Sequence, residues 1–223
     1  IFNGVMPPQH VVPLPADEGA TAALDRLLSE KRGEIAAILV EPLVQGAGGM
    51  VMHAPEVLRR LRELADRHGV LLVFDEIFTG FGRTGTLFAM EQAAVAPDIV
   101  TLSKALTGGT LPLSAAIART HVFEAFWSDD PNAALMHGPT YMANPLACAA
   151  ANASLDLFED GAWRANVARI AAALREGLAP CRALPRVRDV RVLGAIGAVE
   201  LDHVVDSTRL SERFAAEGVW MRP

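Results

Sequence analysis

The chain has 223 residues, 51% of them hydrophobic, enough to bury a sizeable core in one large domain or somewhat more. A formal charge of -6 without a run of Lys or Arg excludes the electrostatic footprint of a nucleic-acid backbone or an anionic membrane, and no apolar stretch reaches the roughly 18 residues that span a bilayer. Two distant cysteines, Cys148 and Cys181, offer neither a disulfide framework nor zinc spacing, so a cytoplasmic location is expected.

In chain order, residues 34–42 (EIAAILVEP) read as a short strand ending in an acid, and residues 45–49 (QGAGG) as the loop after it. Residues 54–68 place Val57, Leu58, Leu61, Leu64 and Ala65 on one helical face, with Pro55 in the first turn and Gly69 past the end. The continuous apolar run 70–74 predicts a strand covered on both faces, and residues 98–103 and 112–119 repeat the theme, which together imply a largely parallel α/β sheet. Asn144 and Pro145 form an N-cap and first helical position ahead of a helix over 146–158. A further helix over 162–178, a strand over 187–201, a helix over 207–218 and a returning strand over 219–222 predict a smaller α+β unit. We place the boundary between residues 1–160 and 161–223. The chain opens on Ile1 and closes on Pro223 directly after the last predicted strand, so both ends are expected to be cut.

The stretch VLLVFDEIFTGFGRTG, residues 70–85, raises the chemical question. In an open α/β sheet ligands bind outside the carboxyl ends of the strands, where Asp75 and Glu76 sit; the competing reading has them capping the next turn or facing solvent. Gly80, Gly82 and Gly85 fit G-x-G-x-x-G, which would suit a nucleotide-dependent oxidoreductase. However, the acids precede the glycines, residues 84–88 lack a helical entry, and Asp98 opens the next strand instead of closing it. A glycine-rich turn is the simpler reading. Lys104 follows a buried strand and precedes a glycine turn, a setting in which an amine could lose solvation and attack a carbonyl. A carboxylate at a neighbouring strand end could hold a pyridine nitrogen protonated. His53, His68 and His137 lack metal-ligand spacing, and Tyr141, Trp127, Trp163 and Trp220 read as packing residues.

VFDEIFTGFGRTG, SKALTGG and MHGPTYMANPLACAAANASL, spaced as they are, resemble the class III pyridoxal-phosphate aminotransferases of fold type I. HGPTYMANPLACAAA, GGTLPLSAAI, RVLGAIGAVEL and EGVWMRP further resemble the diaminopelargonate group of that family. This implies pyridoxal 5'-phosphate as cofactor, S-adenosylmethionine as amino donor and 8-amino-7-oxononanoate as acceptor. Another class III omega-aminotransferase, or lysine as donor, is the near alternative. By the resemblance Lys104 holds the cofactor covalently and moves the proton, and Asp75 pairs with the ring nitrogen. Pro139 and Thr140 contact the phosphate across a homodimer interface, with Gly138 beside the substrate. Arg222 and Arg83 serve the substrate side, and Glu41 occupies the family's active-site acid position. As bare residues, Arg83 and Glu41 could equally be an exposed ion pair. Phe78 departs from the family, standing where ornithine-type relatives carry glutamine and the diaminopelargonate group a small apolar residue. Family members also carry an N-terminal segment with a Gly-Ser phosphate loop and a stacking aromatic that this sequence does not contain. The chain alone is therefore expected to bind cofactor weakly and turn over little.

Overall fold

A computed structural model describes residues 9–221. Helix α1 (Glu18–Glu30) is capped by Asp17, whose Oδ1 accepts from the Ala20 N–H at 2.8 Å. Strand β1 (Ala37–Val40) follows, then a short hairpin of β2 (Val44–Gln45) and β3 (Val51–Met52). Helix α2 (Pro55–His68) ends at Gly69 with φ 66°, and its buried residues are the five the helical spacing predicts. Strands β4 (Leu71–Asp75), β5 (Ile99–Leu102) and β6 (Ala115–Ala118) complete a four-stranded sheet of order β1-β4-β5-β6.

The pairs β1·β4 and β4·β5 are parallel, whereas β6 runs antiparallel to β5, a reversal that the apolar pattern of residues 112–119 does not encode. The core lies on the α2 side of the sheet. Leu72 and Phe74 are fully buried there with Val40 and Val100 against Leu58, Leu61 and Leu64. Burial alternates along β4, so among the described residues only one of its faces is fully covered, and Leu39 of β1 remains 67% exposed. Asp98 ties the layers together. Its Oδ2 accepts from the Leu72 N–H at 2.7 Å and from Arg62 of α2 at 2.8 Å.

After the short helix α3 (Thr120–Glu124) comes α4 (Pro145–Glu159), capped by Asn144, whose Oδ1 accepts from the N–H groups of Leu146 and Ala147. Helix α5 (Trp163–Leu178) leads to strands β7 (Val187–Leu193) and β8 (Ile196–Leu201), and α6 (Ser207–Ala216) follows. The single strand expected over 187–201 is thus an antiparallel hairpin turning at Gly194, and of the last strand expected over 219–222, residues 219–221 pair with no strand among the described residues while 222 lies outside them. Of the four aromatics read as packing residues, Trp163 packs on Phe158 and Trp127 meets Phe123 edge-on while staying exposed, whereas Tyr141 and Trp220 are exposed with no ring contact among the described residues. Among the described residues no helix is long and apolar enough to cross a membrane.

The turn of the β7–β8 hairpin is seated on the loop that leaves β4. The Ala195 N–H donates to the Arg83 carbonyl at 2.9 Å, and a Cβ on Gly194 would lie 2.4 Å from the Thr84 carbonyl carbon. Gly194 also has φ 54°, so a side chain is excluded twice over. Replacing Gly194 by Ala should lower the unfolding free energy by about 2 kcal/mol. Urea denaturation followed by circular dichroism measures this, and an unchanged midpoint would show that the hairpin does not depend on this approach.

Candidate active site

Parallel strands share one carboxyl edge, and here the register decides what stands on it. Val40 pairs with Phe74 and Asp75 pairs with Thr101, so Glu41 is level with Asp75, and Lys104 follows three residues after Thr101. Three neighbouring strands thus deliver an acid, an acid and an amine to the same edge. The loop leaving each strand contains a non-glycine residue in the left-handed region: Leu43 (φ 66°), Phe81 (φ 57°) and Lys104 (φ 48°). Such residues cost of order 1 kcal/mol each and persist only where surrounding structure fixes them.

Asp75 Oδ1 accepts from the Ile77 N–H at 3.0 Å and from the Thr101 hydroxyl at 3.3 Å. Its Oδ2 accepts no hydrogen bond among the described residues and keeps some surface open to solvent. The neighbouring Glu76 does the opposite. It is fully buried and accepts from the Thr79 hydroxyl and from the N–H groups of Ala89 and Met90 at 2.8–2.9 Å, so it caps the short 3-10 turn Ala89–Ala93. Burial pushes its carboxyl up and those three donors oppose the rise. The capping reading holds for Glu76, while Asp75 keeps an oxygen available.

Lys104 opens the 3-10 turn Lys104–Thr107 and is exposed; the loss of solvation expected for it is not provided by this chain. What the chain does fix is its backbone. The Gly109 N–H donates to the Lys104 carbonyl at 3.2 Å, the Ser103 hydroxyl to Leu113 O at 2.7 Å, and the Ser154 hydroxyl of α4 to Ala105 O at 2.9 Å. The Lys104 Nζ stands 5.3 Å from the centroid of the Phe78 ring.

Glu41 reports on both neighbours. Burial raises its pKa and the Asp75 carboxylate adds to the rise, against the Gly46 N–H, which donates to Oε2 at 3.0 Å, and the Lys104 ammonium. Among the described residues Glu41 makes no ion pair, so the exposed Glu41–Arg83 pair allowed by the sequence does not form. Arg83 projects from the glycine loop with an exposed side chain, its backbone held by the hairpin turn. Gly138, Pro139 and Thr140 lie on an exposed loop before α4, with no hydrogen bond to Glu41, Asp75 or Lys104 among the described residues. Arg222 lies outside the described residues. Sequence reading passed over Thr101 and Gly46. The first was signalled by a hydroxyl within an apolar strand, the second only by its lack of a side chain.

The glycine loop is filled by protein. A Cβ on Gly82 (φ 82°) would lie 2.7 Å from the Trp163 ring, and Phe88, Phe81, Phe158 and Trp163 form a chain of rings with centroids 5.6–5.8 Å apart. The loop leads into a 3-10 turn and not into a helix, and the Trp163 ring at the start of α5 fills the space against Gly82, which removes the dinucleotide reading of Gly80, Gly82 and Gly85.

A family profile described as Aminotransferase class-III matches residues 2–223. The chain belongs to that family. Among class-III relatives, the adenosylmethionine-8-amino-7-oxononanoate aminotransferase of Mycobacterium leprae is 48% identical over 95% of this chain and 48% of its own length. The crystal structure of the like-named enzyme from Methanocaldococcus jannaschii superposes with TM-score 0.86 at 28% identity, covering 96% of this chain and 52% of that one. The ornithine aminotransferase of Toxoplasma gondii, whose structure is described with partial occupancy of PLP at its active site, gives TM-score 0.82 at 33% identity, covering 100% of this chain and 50% of that one. The class-III chain described here spans about half the length of the relatives it matches.

The shared influence on Glu41 yields a signed expectation. Asp75→Asn removes a like charge and should lower the Glu41 titration midpoint, whereas Lys104→Ala removes an opposite charge and should raise it. Carboxyl carbon NMR titration reads both, and a midpoint indifferent to Asp75 would place the two acids in separate surroundings.

Proposed function

We propose that this chain forms the lysine-bearing half of a cytoplasmic, homodimeric transaminase that uses pyridoxal 5'-phosphate. It moves the amino group of S-adenosylmethionine to 8-amino-7-oxononanoate, giving 7,8-diaminononanoate for biotin synthesis. The observation that carries this reading is the delivery of Glu41, Asp75 and Lys104 to one strand edge by adjacent parallel strands. The relatives at 41–48% identity that bear the diaminopelargonate enzyme's name favour this substrate pair over those of other class-III members. In this reading residues 1–160 carry the cofactor side and residues 161–223 belong to a smaller domain.

The residues present suit two ends of such a cofactor. An exposed amine that makes no ion pair among the described residues suits an aldehyde, and an open carboxylate oxygen suits a ring N–H. When bound, pyridoxal phosphate supplies a carbonyl that captures amines and a ring that withdraws electrons from the captured carbon. The chain's part is to place groups around it. Asp75 would hold the ring-nitrogen end of the cofactor, and Thr101 and the Ile77 N–H fix that carboxylate. Lys104, on its flexible stem, would hold the cofactor through its amine, and the same amine would serve to carry the substrate proton. Arg83 offers a planar fork to a substrate carboxylate, and Arg222 is assigned the same task. Gly138, Pro139 and Thr140 are assigned to the cofactor phosphate and substrate of the other protomer. Their setting supports this assignment, since Leu135, Met136, Tyr141, Met142 and Leu146 around them are more than half exposed, an apolar surface suited to burial against a second copy.

The chain contains two lysines, Lys31 and Lys104, which gives the test an internal reference. After incubation with pyridoxal phosphate and borohydride reduction, peptide mapping should find the label on Lys104 in excess over Lys31, which is paired with Glu34 on the surface. Equal labelling, or preference for Lys31, would overturn the proposal.

A further inference from the structure

Phe78, which the resemblance sets apart from the family, lies close to two groups of opposite charge. Its ring lies under the Lys104 amine, 5.3 Å from centroid to Nζ. It also abuts the turn of the β2–β3 hairpin, where a Cβ on Gly46 would meet Phe78 Cδ1 at 3.1 Å and Glu41 Oε1 at 3.5 Å. Glu41 grips that same turn through the Gly46 N–H. One uncharged ring is therefore within reach of a carboxylate and an ammonium that share an edge, yet the two form no ion pair. Lysine's long stem and the attraction of opposite charges would otherwise favour closure.

We propose that Phe78 is a positioning residue: its ring is a spacer that keeps the Glu41 carboxylate from capturing the Lys104 amine, leaving that amine free to react. The proposal rests on the function given above only in assuming that the Lys104 amine has to be available. A face-on ring suits the task because it attracts an ammonium weakly and directionally without a counter-charge that would bind it. The bare Gly46 is the matching half of the device, since any side chain there would push the ring away from the turn.

Competitive acetylation by acetic anhydride tests this without any cofactor: each free amine gains an acetyl group and releases acetate, and Lys31 serves as reference. Phe78→Ala should reduce the Lys104-to-Lys31 ratio about three-fold, the size expected of an exposed ion pair. Adding Glu41→Gln to Phe78→Ala should restore the ratio, and Phe78→Leu, which keeps a spacer, should stay near the parent value. Glu41→Gln alone should change the ratio by less than about 1.5-fold, because the ring already separates the groups. An unchanged ratio in Phe78→Ala, or a fall that Glu41→Gln does not reverse, would overturn the proposal. If Phe78→Ala does not fold, a rise of about three-fold in Glu41→Gln alone would overturn it equally, by showing that the pair exists with the ring in place. Because no cofactor takes part, these outcomes are independent of whether pyridoxal phosphate labels Lys104.

Discussion

Lys104 occupies a backbone conformation that an L-residue enters reluctantly, and the geometry of the site follows from that constraint. With φ at 48° the chain turns sharply where β5 ends, and the side chain emerges at the strand edge instead of continuing the pleat. The strain is held from several directions. Ser103 is tied to Leu113, the carbonyl of Lys104 to Gly109, and Ala105 to Ser154 on α4, so that the turn cannot relax without breaking contacts in two layers. A residue so fixed is placed by the scaffold, while its amine stays exposed at the strand edge.

The rest of the edge follows from register. A one-residue slip of β1 against β4 would turn Glu41 to the opposite face and bury Leu39 in place of Val40, so the apolar pattern that builds the core also sets the acids. The loop after β4 is held equally firmly, by Glu76 beneath it, Trp163 against Gly82 and the Gly194 turn against Thr84. The C-terminal hairpin thereby supports the loop that presents Arg83. Arg191 of β7 adds a second tie, donating to the carbonyls of Gly49 and Met50 in the β2–β3 hairpin beside Glu41.

Much of this was legible in the residues, and the failures have physical causes. The α2 helix could be read to the residue because Pro55, Gly69 and a 3.6-residue apolar period agree. The Asn144 cap was read for the same reason. The hairpin of β7 and β8 was read as one strand because its two-residue turn, Gly194–Ala195, is flanked by apolar residues that face the core, and only the glycine betrays the reversal. Asp75 and Glu76 could not be separated from sequence, since alternation sends one to the open face and the other into the loop it caps. The exposure of Lys104 is not legible in sequence, because a buried strand says nothing of what covers its end. The resemblance supplied roles for Gly138, Pro139 and Thr140 that no pattern of their own suggests.

The central claim is that the fold forces residue 104 into a left-handed backbone in order to aim its side chain. Comparing the unfolding free energies of Lys104→Gly and Lys104→Ala tests it most directly, because both remove the amine and only one accepts that backbone freely. The account predicts that the glycine variant is the more stable by about 1 kcal/mol. Equal stability, or a more stable alanine variant, as at an ordinary backbone position, would contradict it.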